Sequence, residues 1–211
     1  GARSHNALYP VHAFVRVGEG EDAVELHPVL IVEMRRPDPP RPEPDIAWKP
    51  VTLERKSLLR LCDMRVYRRV MVLEDAEPVV FPAGTDGEEP RTRMHVRVGA
   101  VAAARDGTKE SVLIHPPWHG GHRGSGIVEF PVRLPESGNI RLVFHNAIRQ
   151  HRKDEPASDG VTFRVRVAEM NGPALGEVVC ERHTDSKKWE KGAVALTDWA
   201  GKAVRLQLES H

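Results

Sequence analysis

The feature that most constrains the fold of this chain is a regular alternation of apolar and polar residues in five segments between residues 93 and 210. The segments are RMHVRV (93–98), VEFPVRLP (128–135), NIRLVFHN (139–146), VTFRVRV (161–167) and AVRLQLES (203–210). A period of two is typical of half-buried antiparallel β-strands. Turn residues separate the segments, namely Asp106-Gly107, Ser137-Gly138-Asn139, Asp159-Gly160 and Asn171-Gly172-Pro173. The sequence therefore predicts an all-β fold, an antiparallel β-sandwich of jelly-roll type with little helix.

The same alternation divides the residues of each strand between two faces. Those expected to face the core are Met94, Val96, Val98, Val128, Phe130, Val132, Leu134, Ile140, Leu142, Phe144, Val161, Phe163, Val165, Val167, Val204, Leu206 and Leu208. The intervening residues, including Glu129, Arg205, Gln207 and Glu209, are expected to lie on the opposite, polar face.

Residues 1–92 have weaker signals. Strands are predicted at His12–Val17, Val29–Met34, Arg65–Leu73 and Val79–Phe81, and a short helix at Thr52–Leu61. Residues 37–45, PDPPRPEPD, contain five prolines and predict an extended stretch that no central strand can include. This stretch is either a crossing loop within one domain of residues 1–211, or part of an N-terminal extension (1–50) before a jelly-roll domain (51–211).

Composition and cysteine count exclude several classes of protein. Lys and Arg total 31 against 30 Asp and Glu, so the net charge of +1 argues against a nucleic-acid partner. No run of apolar residues approaches the length of a transmembrane helix, and we expect no membrane partner. Cys62 and Cys180 belong to no C-x-x-C pair, which excludes a cysteine-based zinc site and leaves either one disulfide or two free thiols.

The most distinctive segment is IHPPWHGGHRGSG (114–126). A strand follows it rather than a helix, which excludes a phosphate-binding loop, and Arg123 stands where a nucleophile elbow needs glycine. Its prolines and glycines prevent a helix that would align the histidines on a metal, so we expect a rigid loop. An indole stacks well on a sugar ring, and the loop therefore offers four candidate ligand-binding residues: Trp118, His119, His122 and Arg123.

A second candidate site is the basic segment HNAIRQHRKDE (145–155). Arg149, His151, Arg152 and Lys153 concentrate positive charge in a nearly neutral chain, at a loop between two strands. They are expected to recognise carboxylates or sulfates, unless the segment is simply a solvated charged loop. Trp189, in the polar stretch TDSKKWEKG, is the other candidate sugar-stacking residue.

Catalytic signals are sparse. No strand carries the clustered carboxylates that a glycosidase needs. Tyr67 with Arg65, Arg68, His95 and Arg97, all placed on outward strand faces, is a conceivable set for a polysaccharide lyase, but it matches no recognisable motif. We therefore predict no catalytic residue.

Residues 111–209 show a family resemblance. The strand DGVTF (159–163) and the segment from Trp189 through Leu208, with VALTDWAGKAVRLQL, resemble the noncatalytic jelly-roll modules of large secreted bacterial glycan-processing proteins. The resemblance implies a carbohydrate-binding module or related accessory domain for a polysaccharide, in a secreted or periplasmic setting, within a larger multidomain chain. Some such modules hold a structural calcium ion, for which Asp106 and Asp159 are the candidate ligands; no other cofactor is expected. A jelly-roll polysaccharide lyase and a purely structural module of a surface protein are the alternatives.

Overall fold

The computed structural model describes residues 15–17, 24–26, 47–149 and 158–211. The chain divides into two compact units, residues 1–41 and 42–211. In the first unit, strand β1 (Val15–Val17), within the predicted strand His12–Val17, pairs antiparallel with β2 (Val24–Leu26). The predicted strand Val29–Met34 and the proline-rich stretch 37–45 lie outside the described residues.

The described part of the second unit consists of strands and three-residue 3-10 helices. The strands are β3 (Val51–Thr52), β4 (Arg68–Leu73), β5 (Val79–Val80), β6 (Gly87–Glu88), β7 (His95–Ala104), β8 (Gly107–His115), β9 (Gly124–Arg133), β10 (Arg141–Asn146), β11 (Val161–Glu169), β12 (Glu177–Thr184), β13 (Glu190–Ala195) and β14 (Ala203–Ser210). All the described pairings are antiparallel except that of the short β3 with the end of β9.

These strands form the two layers of a β-sandwich. One layer is a seven-stranded sheet in the order β12-β11-β14-β9-β4-β5, with β3 beside β9. The other consists of β6-β7-β8 and the pair β10-β13. Apolar residues from both layers form one hydrophobic core. The predicted all-β antiparallel sandwich is thus confirmed, while the jelly-roll connectivity stays a prediction.

The alternation places the core as expected. Val128, Phe130 and Val132 of β9 are at most 1% exposed, and Val204 and Leu206 of β14 pack beside them. Burying aliphatic and aromatic side chains of this size contributes about 1.5–3 kcal/mol each. The strands β9 and β14 of the larger sheet therefore supply five of the thirteen buried residues of the core that holds the two layers together.

The predicted helix at Thr52–Leu61 is wrong. Only Leu61–Asp63 is helical there, as a single 3-10 turn. Lys56 has a positive φ of 61°, and the Ser57 hydroxyl closes a turn by donating to the Glu54 carbonyl. Leu58 is 86% exposed, so the apolar residues of this segment do not share one buried face.

The second face of the larger sheet also differs from the expectation, because it is polar but not exposed. Glu129 and Gln207 are 0% exposed, and Arg205 and Glu209 are 3% exposed. The physical reason is that β9 and β14 are central strands and the segment 170–176 lies over them. Arg205 donates hydrogen bonds to the carbonyl oxygens of Gly172, Pro173 and Ala174 in that segment.

The two cysteines are both free thiols, which answers the question that the sequence left open. Cys62 lies in the 3-10 turn and Cys180 in β12, and each is half-buried. Burial raises the pKa of the Cys62 thiol. A raised pKa keeps this thiol protonated and a weak nucleophile at neutral pH.

Candidate functional site

The structure separates the predicted site residues into two groups at opposite ends of β8. Trp118 follows the last residue of that strand, His115, while the Trp189 indole contacts its first residue, Gly107. A strand of nine residues separates its ends by about 26 Å at about 3.3 Å per residue. The two tryptophans therefore cannot contribute to one small sugar-binding site.

The Trp118 loop is held by main-chain hydrogen bonds. The amides of Trp118 and His119 both donate to the carbonyl oxygen of Thr92, over 3.0 and 3.1 Å. The side chain of Trp118 is nevertheless 59% exposed. Its ring centroid lies 6.1 Å from that of His115 and 5.6 Å from that of His119, the latter in an edge-on arrangement. The loop thus presents, on a fixed backbone, a solvent-facing indole between two imidazoles.

The glycines and prolines of the loop predicted that it would not form an α-helix, and in the structure it does not. A single 3-10 turn covers His119–Gly121, and Gly120 within it has a positive φ of 67°. His119, His122 and Arg123 are all exposed. Within residues 47–149 and 158–211, no group of three His, Cys, Asp or Glu side chains is placed to hold a metal ion.

A buried carboxylate supports the loop from below. Glu89 accepts hydrogen bonds from the amide and the hydroxyl of Thr92, over 2.7 and 2.6 Å. Burial alone raises the pKa of Glu89, but the hydrogen bonds from Thr92 and Arg91 outweigh it and bring the pKa to about 2. Because the Thr92 carbonyl binds the Trp118 and His119 amides, Glu89 is a positioning residue for the exposed indole.

We expect Glu89→Gln to lower the free energy of unfolding by about 1–3 kcal/mol, since it removes a buried charged acceptor. The folded-state pKa of Glu89, about 2, lies below the ordinary value of 4.5. Its contribution to stability is therefore fully present above the ordinary pKa and is lost as the pH falls through about 2. Urea unfolding of parent and variant over this range should show the difference shrinking on acidification. A difference that is constant with pH would contradict this role.

Trp189 forms structural contacts rather than a free platform. Its amide donates to the Asp106 carboxylate over 3.1 Å, and its indole nitrogen donates to the Gly107 carbonyl over 3.0 Å. The side chain is half-buried, with the Lys109 ammonium 5.9 Å from the ring centroid. Asp106 is therefore already used as a hydrogen-bond acceptor, and among the described residues neither it nor Asp159 belongs to a group of three or more His, Cys, Asp or Glu side chains placed to hold a metal ion.

The basic segment is only partly described. Arg149 is exposed, and the amide of the preceding Ile148 donates to the Ser186 carbonyl over 3.0 Å. This places Arg149 beside the Trp189 loop and away from Trp118. His151, Arg152 and Lys153 lie outside the described residues. Their proposed role in anion recognition stays a prediction.

The residues considered for a lyase are not on one outward face. Tyr67 is 7% exposed, packs against Phe130 in the core and donates to the Asp86 carboxylate over 2.6 Å. Burial and this hydrogen bond raise the pKa of Tyr67 well above its ordinary value. Arg68 lies on the opposite face of the sheet, where it pairs with Glu129 and stacks on the Trp48 ring at 4.2 Å. A buried, hydrogen-bonded tyrosine is poorly placed to act as a base.

A cluster of hydrogen-bonded polar side chains, which the sequence does not indicate, lies at the corner of the larger sheet next to the Trp118 loop. Ser125, at the start of β9, donates to the Glu209 carboxylate over 2.6 Å and lies 3.2 Å from Nδ1 of His211. Arg164 and Arg166 of β11 donate to the same carboxylate. The alternation predicts that Glu209 lies on the face opposite the core, but it does not indicate the hydrogen-bond donors that β9 and β11 supply to its carboxylate.

Comparisons with known proteins add no relative. No family model matches the chain, and neither a curated protein nor a solved structure matches it. In the described parts of the chain, no helix is both long and apolar enough to cross a membrane.

Proposed function

We propose that this chain is a noncatalytic carbohydrate-binding module, or a related accessory domain, that recognises a polysaccharide through the loop around Trp118. The observation that carries the proposal is the exposed indole of Trp118 on a backbone fixed by two hydrogen bonds to Thr92. A flat indole stacks on the apolar face of a pyranose ring, and a fixed backbone reduces the entropy lost on binding. The resemblance to secreted glycan-processing modules supports the same function.

The surroundings of Trp118 suit a polar ligand. Sugar sites combine an apolar surface with a few polar groups that fix the orientation of hydroxyls. His115 and His119 flank the indole, and His122 and Arg123 follow in the same exposed loop. A sugar ring stacked on Trp118 therefore has the imidazoles of His115 and His119 beside it as hydrogen-bonding groups. The resemblance further supports a secreted or periplasmic setting and a place within a larger chain.

We expect Trp118→Ala to weaken binding of the recognised polysaccharide by about tenfold, since it removes a stacking contact worth about 0.5–1.5 kcal/mol together with buried apolar area. The ligand is first identified on a glycan array in calcium-containing buffer and is then titrated against the parent and the variant. Leu58→Ala is the matched control, because Leu58 is 86% exposed and lies in the 52–61 segment instead of the loop. It should leave the affinity unchanged.

The same experiment separates the alternatives. Equal binding by the parent and Trp118→Ala would overturn the proposed site. Release of an unsaturated uronate product, followed by ultraviolet absorbance, would favour a polysaccharide lyase. An array without any bound glycan, together with no such product, would favour a structural module.

A further inference from the structure

A chain of hydrogen bonds on the outer face of the larger sheet ends at His211. The Glu209 carboxylate accepts from Ser125 Oγ over 2.6 Å, and Ser125 Oγ lies 3.2 Å from Nδ1 of His211. Glu209 and Ser125 are 3% and 6% exposed, whereas His211 is exposed. The backbone of His211 is fixed by two hydrogen bonds to Thr162, over 2.9 and 3.0 Å. The imidazole is therefore oriented from beneath by buried groups.

The charge on Glu209 determines which groups donate along this chain. Burial raises the pKa of Glu209, but the hydrogen bonds from Arg166, Ser125 and Arg164 outweigh it and lower the pKa below its ordinary value. An ionised carboxylate only accepts hydrogen bonds, so the single hydroxyl proton of Ser125 points to Glu209. Ser125 Oγ can then only accept from His211, which requires the proton of the neutral imidazole to be on Nδ1. Nε2 of His211 is left as a bare acceptor at the protein surface.

Arg123 brings a cation to the same corner. It precedes Ser125 by two residues, and its carbonyl accepts from the Glu74 amide over 3.2 Å, which continues the β4–β9 ladder. Strand spacings place its Cα within about 9 Å of that of His211. Within the described residues, the Arg123 guanidinium has no hydrogen-bond or ion-pair partner. A fixed acceptor and an available guanidinium thus lie beside the loop that carries Trp118.

We propose that His211 and Arg123 form a subsite for uronate units of an anionic glycan, with His211 Nε2 accepting a hydroxyl hydrogen bond and Arg123 pairing with the carboxylate. A uronic acid carries both groups on one ring, and an arginine fork matches the planar carboxylate. This subsite deepens the proposed carbohydrate-binding function and rests on it. It places anion recognition at the Trp118 end of β8, apart from the basic segment around Arg149.

The first test measures the tautomer of His211 by ¹⁵N NMR of the ring nitrogens at a pH where the imidazole is neutral. Nδ1 of His211 should carry the proton, and Ser125→Ala should move the proton to Nε2, the site that is favoured in free histidine. His183 is the internal control, because its Nδ1 contacts Thr162 over 3.0 Å and no residue of the Glu209 chain. Its signals should not change in Ser125→Ala. An Nε2–H tautomer of His211 in the parent protein would overturn the proposal.

The second test measures binding of polygalacturonate and of its fully methyl-esterified form. Arg123→Gln should weaken binding of the charged polymer about fivefold and weaken binding of the ester by a clearly smaller factor. His211→Asn keeps a donor toward Ser125 but removes the Nε2 acceptor, and it should weaken binding of both polymers about fivefold. His183→Asn is the matched control and should change neither affinity.

The outcomes distinguish this proposal from the broader one. If both variants bind the two polymers as the parent does, while Trp118→Ala weakens binding, the uronate subsite is wrong and the carbohydrate-binding function stands. If the parent binds no glycan at all, the function and the subsite both fail, whatever tautomer His211 shows. A preference for the charged polymer that disappears in Arg123→Gln, with an Nδ1–H His211, supports the subsite.

Discussion

Arg205→Met should lower the free energy of unfolding by about 3–5 kcal/mol, the usual cost of removing one partner from a buried ion pair. Arg205 is 3% exposed and donates to the Glu129 carboxylate, which is 0% exposed. The substitution removes one of the cationic partners of Glu129 and leaves the carbonyl oxygens of Gly172 and Pro173 without their side-chain donor. Urea unfolding followed by tryptophan fluorescence measures the change.

The matched control is Lys202→Met, at the residue that immediately precedes β14. Lys202 pairs with Glu169 over 3.5 Å, with side chains 52% and 70% exposed. An exposed pair of this kind contributes less than about 1 kcal/mol. If Arg205→Met does not fold, Arg205→Lys retains the charge with fewer donors and should still lose more stability than the control. Equal losses for the Arg205 and Lys202 variants would show that the polar face is solvated rather than buried.

The inward face of each strand could be predicted from the sequence because it depends on local alternation. Val128, Phe130 and Val132 alternate with polar residues, and any sandwich built from such a strand buries them on one side. Whether the opposite face of a strand is buried or exposed depends on the position of that strand in the sheet. Glu129 is buried because β14 and β4 flank β9 and the 170–176 segment covers them, which are facts of strand order and connection that no local pattern contains.

The candidate site could be predicted only in part, because local sequence indicates a loop but does not indicate which loops lie together. Trp118 could be recognised as a candidate from its own loop, since proline and glycine fix the local conformation. The separation of Trp118 from Trp189 could not be predicted, because the pairing of distant strands determines which loops lie at the same end of a sandwich. The Ser125 contacts span 84 residues to Glu209 and 86 residues to His211. Only the register of β9 on β14 brings these three side chains together.

Gly124, which joins the Trp118 loop to β9, is the backbone position at which we expect a single methyl group to have the largest effect. Gly124→Ala should lower the free energy of unfolding by about 2–6 kcal/mol, combining backbone strain with overpacking. Its φ is +151°, and a Cβ atom there would lie 1.9 Å from the Val72 carbonyl oxygen on β4. Because that oxygen belongs to a paired strand, relief of the contact requires β4 and β9 to separate at this end.

Gly138→Ala separates the two causes. Gly138 also has a positive φ, +123°, but no atom lies within 4 Å of the position that its Cβ would occupy. Only the strain of the left-handed region remains there, and the expected loss is about 1–3 kcal/mol. The difference between the two variants, measured by urea unfolding, therefore reports the contact with Val72. Equal losses would contradict the close approach of β4 to Gly124, and with it the positions of Ser125 and Arg123 at the start of β9.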